Sequence, residues 1–238
     1  MEKILAFIPA RKNSKRLPNK NIKILNGKPM IAWTIEAALK SKFDMTVHVS
    51  TDSKKIAAIS EAYGAQVPFL RSPNLARDES DQFEALLECI HSYKEVGVEF
   101  EYIINLQPTS PLRTADDIDQ SINLFKKYTE FGCKSVISIS QNSYPSEWIF
   151  QLNDKSLMNE FVQLRKSLFQ KRSQDCNQSF YLNGSIYLAR VADVLLHKSF
   201  YIPEGDTIPV MIPKSRSVDI DDEVDFLLAE FWMKHNEL

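Results

Sequence analysis

The sequence predicts an α/β fold, a mostly parallel sheet with helices on both faces and an inserted arm. Three observations predict it. Short β-rich runs alternate with stretches of helical period from residue 4 to residue 140. Apolar runs end at Pro9 and Pro108, where buried strands pass into loops. A content of 44% hydrophobic residues over 238 supports one sizeable core. Residues 1–238 therefore read as a single domain, with 141–181 as the interruption.

The elements follow in order. "ILAFI" (4–8) is a buried strand closed by Pro9, and a basic loop comes next. "GKPMIAWTIEAALKS" has apolar residues at helical spacing, with Pro29 near its start. "TVHVSTD" (46–52) is a strand, and "KKIAAISEAYGA" a helix closed by Gly64. "QVPFL" is a further short strand. "SDQFEALLECIHSYKEVG" is an amphipathic helix, and "YIINLQP" (102–108) a strand. "TADDIDQSINLFKKY" has a capped helical start, and "SVISIS" (135–140) returns to strand. Residues 141–181 break the alternation with Pro145, Trp148 and many polar residues, so they form an arm or subdomain. "FYLNGSIYLAR" (180–190) resumes a strand, with Asn183–Gly184 marking a turn or bulge. "IPVMIP" is a late strand. "DIDDEVDFLLAEFWMKHNE" closes as a helix whose acidic start suits the helix dipole.

Composition narrows the function. With 29 Lys and Arg against 31 Asp and Glu, the chain lacks the basic excess of a nucleic-acid binder. It has no apolar segment of membrane-spanning length. Cys89, Cys133 and Cys176 are odd in number and widely spaced, neither a disulfide framework nor a metal site. Reduced thiols of this kind point to a cytoplasmic protein.

Two segments carry chemistry. From Arg11 to Lys28 there are seven Lys and Arg and no acid. A basic run ordinarily faces solvent, and this loop is expected to be exposed. It follows the first strand, however, and ligands of such sheets bind beyond the carboxyl ends of the strands. The run lacks the glycines of a P-loop or a dinucleotide fingerprint, so it must hold an anion through side chains such as Arg11, Ser14, Lys15 and Lys20. "SVDIDDEVD" is the counterpart. Asp219 and Asp221, two apart in extended backbone, face one side and suit a hard cation such as Mg²⁺ beside phosphate oxygens. Asp222, Glu223 and Asp225 are accounted for as the acidic start of a helix. His48, His91, His197 and His235 share no motif.

"IPARKNSKRLPNKN", "LNGKPMIAWTIEAAL", "STDS", "LARDES", "LQPTSPLR", "NGSIY" and "VDIDDEVD" follow one another along nearly the whole chain. In that order they resemble the acylneuraminate (CMP-sialic acid and CMP-nonulosonic acid) cytidylyltransferase family. The resemblance implies a Rossmann-like domain with an arm, here 141–181, that builds a homodimer and leans over the partner's site. It implies Ala10, Arg11 and Asn21 on the nucleotide and Ser14, Lys15 and Lys20 on its phosphates. Arg71 and Ser80 would lie along the nucleotide and sugar pocket, Gln107 on the sugar acid, and Asp219 and Asp221 on Mg²⁺. Arg11, Lys20, Asp219 and Asp221 would be the catalytic set.

Two departures stand out. Many relatives have Gly where this chain has Arg16. "KRSQDCNQSFYLNG" resembles a segment with paired arginines that handles the sugar carboxylate, but the second is Ser173. Arg172 is then the substitute, with Gln174 adding an amide. Tyr187, Phe200 and Tyr201 would meet the acylated ring, although core packing also accounts for the Phe200–Tyr201 pair. The implied reaction is transfer of CMP from CTP to the anomeric hydroxyl of a nine-carbon nonulosonic acid, of N-acetylneuraminate or legionaminate type, with release of pyrophosphate. Kdo cytidylyltransferases share "GKPMI" but differ at Lys20–Asn21 and at "LQPTSPLR". Another sugar nucleotidyltransferase would carry a Gly-rich first loop. A catalytically silent nucleotide-binding protein would have lost the Asp219–Asp221 pair.

Overall fold

A computed structural model describes residues 3–77, 81–150, 172 and 175–235. In chain order the strands are β1 (Ile4–Pro9), β2 (Ile24–Leu25), β3 (Lys28–Pro29), β4 (Met45–Ser50), β5 (Tyr102–Leu106), β6 (Cys133–Gln141), β7 (Phe180–Arg190) and β8 (Asp206–Met211). The helices are α1 (Met30–Leu39), α2 (Lys54–Ala62), α3 (Gln82–Glu95), α4 (Ala115–Thr129), α5 (Val191–His197) and α6 (Glu223–His235).

The main sheet has the order β4-β1-β5-β7-β6-β8. β1 pairs in parallel with β4 and β5, and β6 in parallel with β8, while β7 runs antiparallel to both β5 and β6. Five of its six strands thus share one direction, as the alternating pattern predicts. Along β1 the side chains divide by parity, as a pleated strand requires. Ile4, Ala6 and Ile8 pack with residues of α1, α2 and α4, including Ile31, Ile35, Ile56, Ile118 and Phe125. Leu5 and Phe7 pack with Leu86 and Ile90 of α3 and Val194 of α5. Helices therefore cover both faces, and the first strand is buried on both.

The chain leaves β1 for β4 on one side and returns to β5 on the other. Such a reversal opens a crevice at the carboxyl ends of the strands. The basic loop after Pro9 and the "QPTSPLR" loop after Leu106 both begin there.

Two local readings change, and one short helix is added. "QVPFL" is not a strand, since only Gln66 forms an isolated bridge, to His48; the edge strand β4 gives it no longer register. Between the basic loop and α1 lies a two-residue hairpin, β2–β3, that the helical spacing of the following residues hid. Asn26 and Gly27 both have positive φ there, 46° and 90°, as its tight turn demands. The residues after β7 fold as the short helix α5.

Most of the segment 141–181 lies outside the described residues. Its base continues the β6–β7 ladder, with the Asn142 amide donating to the Ser179 carbonyl at 2.9 Å and Ser179 Oγ donating to the Tyr144 carbonyl at 2.8 Å.

The acidic segment before α6 is anchored by a buried ion pair. Thr114 and Asp117 form a reciprocal capping box at the start of α4. Asp117, 3% exposed, also accepts from both terminal nitrogens of Arg216, Nη2 at 3.0 Å. Arg216→Ala leaves that carboxylate short of its cation and should cost about 3 kcal/mol of stability. Urea unfolding measures this, and a loss below about 1 kcal/mol, the value of an exposed pair, would show the anchor to be superficial.

Candidate active site

The crevice is a cleft of about 430 Å³. The basic loop forms one wall, and it folds without glycine. Leu17 is buried at its centre, and the Lys20 and Ile22 amides donate to the Leu17 and Asn19 carbonyls, closing a 3₁₀ turn over Lys20–Ile22. Leu17 packs in a third apolar cluster with Leu25, Leu112, Val218, Ile220 and Phe226. This cluster joins the basic loop to the acidic segment.

Val218 and Ile220 turn into that cluster, so the intervening Asp219 and the following Asp221 turn away from it. The alternation expected of Asp219-Ile220-Asp221 is therefore present. The Ile220 amide donates to the Thr109 carbonyl at 2.8 Å, fixing the segment against the "QPTSPLR" loop. Asp222 and Asp225 serve the helix start, as expected. Asp222 Oδ1 accepts from the Val224 and Asp225 amides, and Asp225 Oδ2 from the Asp221 and Asp222 amides.

Lys20 departs from the expectation of an exposed basic loop. Its side chain is only 11% exposed. Nζ donates to the Ile220 carbonyl at 2.6 Å and to Asp221 Oδ1 at 3.2 Å. The turn at 17–22 draws it inward because Leu17 is buried beside it. Arg16 remains exposed and places Nη1 3.1 Å from Asp221 Oδ2.

Arg11, Ser14, Lys15, Lys20, Asn21, Arg71, Gln107 and Asp221 all line the cleft. Asn21 is buried and donates from Nδ2 to the Arg11 carbonyl at 3.0 Å, holding the loop's entrance. Arg71 is 7% exposed and donates from Nε to Ser50 Oγ and from Nη2 to the Ser50 carbonyl. Burial lowers its pKa, and the nearby Arg11 adds to the effect, while Asp52 and Glu88 oppose it. Ala10 does not face the cleft. It is fully buried, and its amide donates to the Ser50 carbonyl at 2.9 Å because it still continues the β1–β4 ladder. Ser80 and Gln174 lie outside the described residues. Arg172 is exposed and lines neither cleft of this chain.

A second cleft of about 180 Å³ adjoins the first and shares Gln82 and Gln107 with it. Tyr187, Phe200 and Tyr201 meet here, as expected of them. Phe200 is 9% exposed, packs in the α3–α5 core and also forms a wall of this pocket. Tyr201 is half exposed, with its ring centre 6.4 Å from that of Tyr187. The larger cleft is cationic and the smaller one aromatic.

Four contributors were missed. Arg77 lines the cationic cleft and accepts at its carbonyl from Arg11 Nη1 at 3.1 Å. Gln82 donates from Nε2 to Asn105 Oδ1 at 3.3 Å, on the border of the two clefts. Gly184 has a φ of 74°, and a Cβ there would lie 3.1 Å from Gln107 Oε1 and 3.6 Å from Asp219 Oδ2. Only a glycine leaves those two groups their space without strain. Arg113 is 3% exposed and donates from Nη1 to the Ser185 carbonyl at 2.8 Å and the Gln107 carbonyl at 3.3 Å. Burial pushes its pKa down to about 9 against the pull of Asp117. It ties the loop that carries Gln107 to the strand that carries Gly184. "LQPTSPLR" contains this arginine, but spacing alone does not separate a buried brace from a ligand.

Comparisons with known proteins complete the description. Residues 5–201 match the cytidylyltransferase family. The chain is 39% identical to the CMP-N,N'-diacetyllegionaminic acid synthase of Legionella pneumophila over 99% of its own length and 98% of that protein. It is 37% identical to the N-acylneuraminate cytidylyltransferase of Escherichia coli over 95% of its length, which is 51% of that longer protein. In fold it resembles CMP:2-keto-3-deoxy-manno-octonic acid synthetase complexed with CTP, with a TM-score of 0.70, 18% identity and coverage of 99% of this chain and 100% of the other.

Asp219 yields a prediction on stability. It is not a lining residue of the cleft and is exposed by surface area, but the protein atoms packed around its carboxyl draw it partly from bulk water and raise its pKa above the ordinary 3.8. Asp221 raises it further, while a hydrogen bond from Thr109 and the charge of Lys20 lower it. The folded state then holds this proton more tightly than the unfolded chain, so stability falls as pH rises from the ordinary carboxylate range through the raised pKa. Asp219→Asn removes that penalty. Without divalent cations it should be more stable than the parent at pH 7 and equal to it below pH 3.8. Equal unfolding midpoints at both pH values would contradict the strained carboxylate.

Proposed function

The chain belongs to the cytidylyltransferase family, and from that membership we propose that it transfers CMP from CTP to a nine-carbon nonulosonic acid, of N-acetylneuraminate or legionaminate type, with release of pyrophosphate. The observation that carries this reading is the pairing of the two clefts. The cationic one, with Arg11, Lys15, Lys20, Arg71 and Arg77, suits a triphosphate. The aromatic one, sharing Gln107, suits the acylated ring of the sugar. The Kdo alternative is less supported, by one shared motif and a likeness of fold at 18% identity, against 39% identity to the legionaminic acid synthase. A silent nucleotide binder has no need of the Asp219–Asp221 pair, of which Asp221 lines the cleft.

The reaction follows from this placement. The anomeric oxygen attacks the α-phosphorus, the bond to the β-phosphate breaks, and pyrophosphate leaves. Holding both reactants across the shared Gln107 wall converts the encounter into a positioned one. Lys20, fixed by the Ile220 carbonyl, presents its charge without reorganising, and Arg11 and Lys15 take further phosphate charge. The donor set fits Mg²⁺: two hard carboxylates on one side of the chain, with the charged form of Asp219 disfavoured first by loss of solvation and then by its neighbour Asp221, both of which a dication would relieve. Asp219 and Asp221 would hold the ion. Bound there, it would neutralise phosphate charge and favour pyrophosphate as a leaving group.

The arm at 141–181 supports a homodimer. At its base Phe180, Leu182 and Tyr144 are exposed, as is Met211 on the neighbouring β8, an apolar surface suited to a second copy. An arm that reaches the partner's site would bring Arg172 to the sugar carboxylate there. The three free cysteines suit a reducing cytoplasm, which cell fractionation checks. Among the described residues no helix is long and apolar enough to cross a membrane.

Release of pyrophosphate from each nucleoside triphosphate with a panel of sugar acids tests the assignment. CTP with a nine-carbon acid should be preferred, and excess chelator should abolish turnover. Equal use of ATP or UTP, a higher kcat/KM with Kdo, or full activity in chelator would each refute the part it addresses.

Arg172→Ala should raise KM for the sugar acid about 10- to 100-fold, with little change for CTP, through loss of one charged hydrogen bond. Sedimentation at the assay concentration must show a dimer for both proteins. A monomeric parent refutes the arm, and an unchanged sugar KM in a dimeric variant removes Arg172 from the site.

A further inference from the structure

We propose that Arg16 is a phosphate-binding residue of this site, one that moves from Asp221 to the triphosphate as a divalent cation takes the carboxylate. The inference rests on the reading of the larger cleft as a nucleoside triphosphate site with its metal at Asp219 and Asp221.

The two oxygens of Asp221 are divided between two cations. Lys20 Nζ lies 3.2 Å from Oδ1 and Arg16 Nη1 lies 3.1 Å from Oδ2. A metal bound by this carboxylate competes with both for its charge and repels them, and the two are held very differently. The Lys20 side chain is 11% exposed and also donates to the Ile220 carbonyl at 2.6 Å, so leaving Asp221 would not free it. The Arg16 side chain is 72% exposed and lies within the cleft wall between Lys15 and Lys20. Its pair with Asp221 is of the exposed kind, which contributes little to folding and is readily broken. Arg16 is thus the cation that yields.

Its release has a destination. A long arginine that loses its carboxylate beside a bound triphosphate exchanges one oxyanion for another and keeps a forked, charge-assisted contact. The loop lacks the glycines that would offer backbone amides to phosphate, so an added side-chain donor at position 16 replaces what the backbone does not provide. The exchange also separates two effects that a simple phosphate ligand would not show together. Arg16 opposes binding of the metal by itself and favours binding of the phosphate.

The test uses the full chain as the parent, Arg16→Ala and Asp221→Asn. Binding of Mn²⁺ alone is followed by electron paramagnetic resonance. Binding of inorganic pyrophosphate is followed by calorimetry at saturating Mg²⁺. Arg16 is exposed, so the variant should fold, and circular dichroism verifies it. In Arg16→Ala we expect Mn²⁺ to bind about 2- to 5-fold more tightly, the scale of a lost exposed ion pair. Pyrophosphate should bind about 10-fold more weakly, the scale of a lost charged hydrogen bond. If Asp221→Asn weakens Mn²⁺ binding while Arg16→Ala leaves either affinity unchanged, the exchange is refuted and the metal reading stands. If Asp221→Asn leaves Mn²⁺ binding unchanged, the metal reading fails and the exchange fails with it.

Discussion

The arrangement of the site depends on the seat of Lys20. Its ammonium group is held by the Ile220 carbonyl and Asp221, 200 residues away in sequence. Those contacts form because an apolar cluster lies directly beneath them, where Leu17 from the basic loop meets Val218 and Ile220 from the acidic segment. Opposite charges in an open loop attract only weakly across water. Burial of Leu17 and Ile220 fixes the two backbones first, and the charges then stand at short range. This explains how a loop without glycine can hold its cations in fixed positions. Its turn places Asn19 in the left-handed region, at a φ of 57°, where a glycine would otherwise serve, and the buried Leu17 stabilises it.

The same economy of placement separates the two halves of the cleft. Gln107 stands at their border, carried by a loop that Arg113 ties to β7 from behind. A guanidinium as buried as that of Arg113 is costly unless its donors are used; Nη1 is used, on the Ser185 and Gln107 carbonyls, whereas Nε and Nη2 are buried with no hydrogen-bond partner. In front, Gly184 leaves room for Gln107 and Asp219 to approach one another. Cations therefore gather on the side of the basic loop, and Tyr187, Phe200 and Tyr201 on the other. A ligand with a polyanionic end and a bulky, less polar end has one orientation in which both ends are satisfied.

The single reversed strand, β7, has a related consequence. Because it runs against β5 and β6, the connection from β6 to β7 leaves and rejoins the sheet at the same end, with no crossover required. The strand returns through Asn183 and Gly184, and the missing side chain of Gly184 leaves room beside Gln107, which lines both clefts. Asn183 is buried, and its amide bonds to Ser138 and Ser140 hold that part of β7 against β6.

Much of this is written locally in the chain. Period-two and helical spacing place β1, α1, α3, β5, α4 and β7, because each buries an apolar face that its own residues define. The resemblance of "IPARKNSKRLPNKN" and "LQPTSPLR" to a known family, with the Asp219–Asp221 pair, identifies the walls of the cleft. The sequence alone does not set apart Lys20, Arg16 and Arg11, three cations of one loop with the same local signature. It likewise does not show that Ala10 faces inward while its neighbours Pro9 and Arg11 line the cleft. Nor does it distinguish Arg113 as a brace from Arg71 and Arg77 as cleft-lining residues. Those distinctions arise when segments about 200 residues apart meet, for burial and electrostatic pairing are properties of the assembled surroundings. The sequence by itself determined which elements form and which residue types reach the carboxyl edge of the sheet. Only the tertiary structure decided which of those charges are fixed and which are free to exchange, because only packing sets the depth at which each is held.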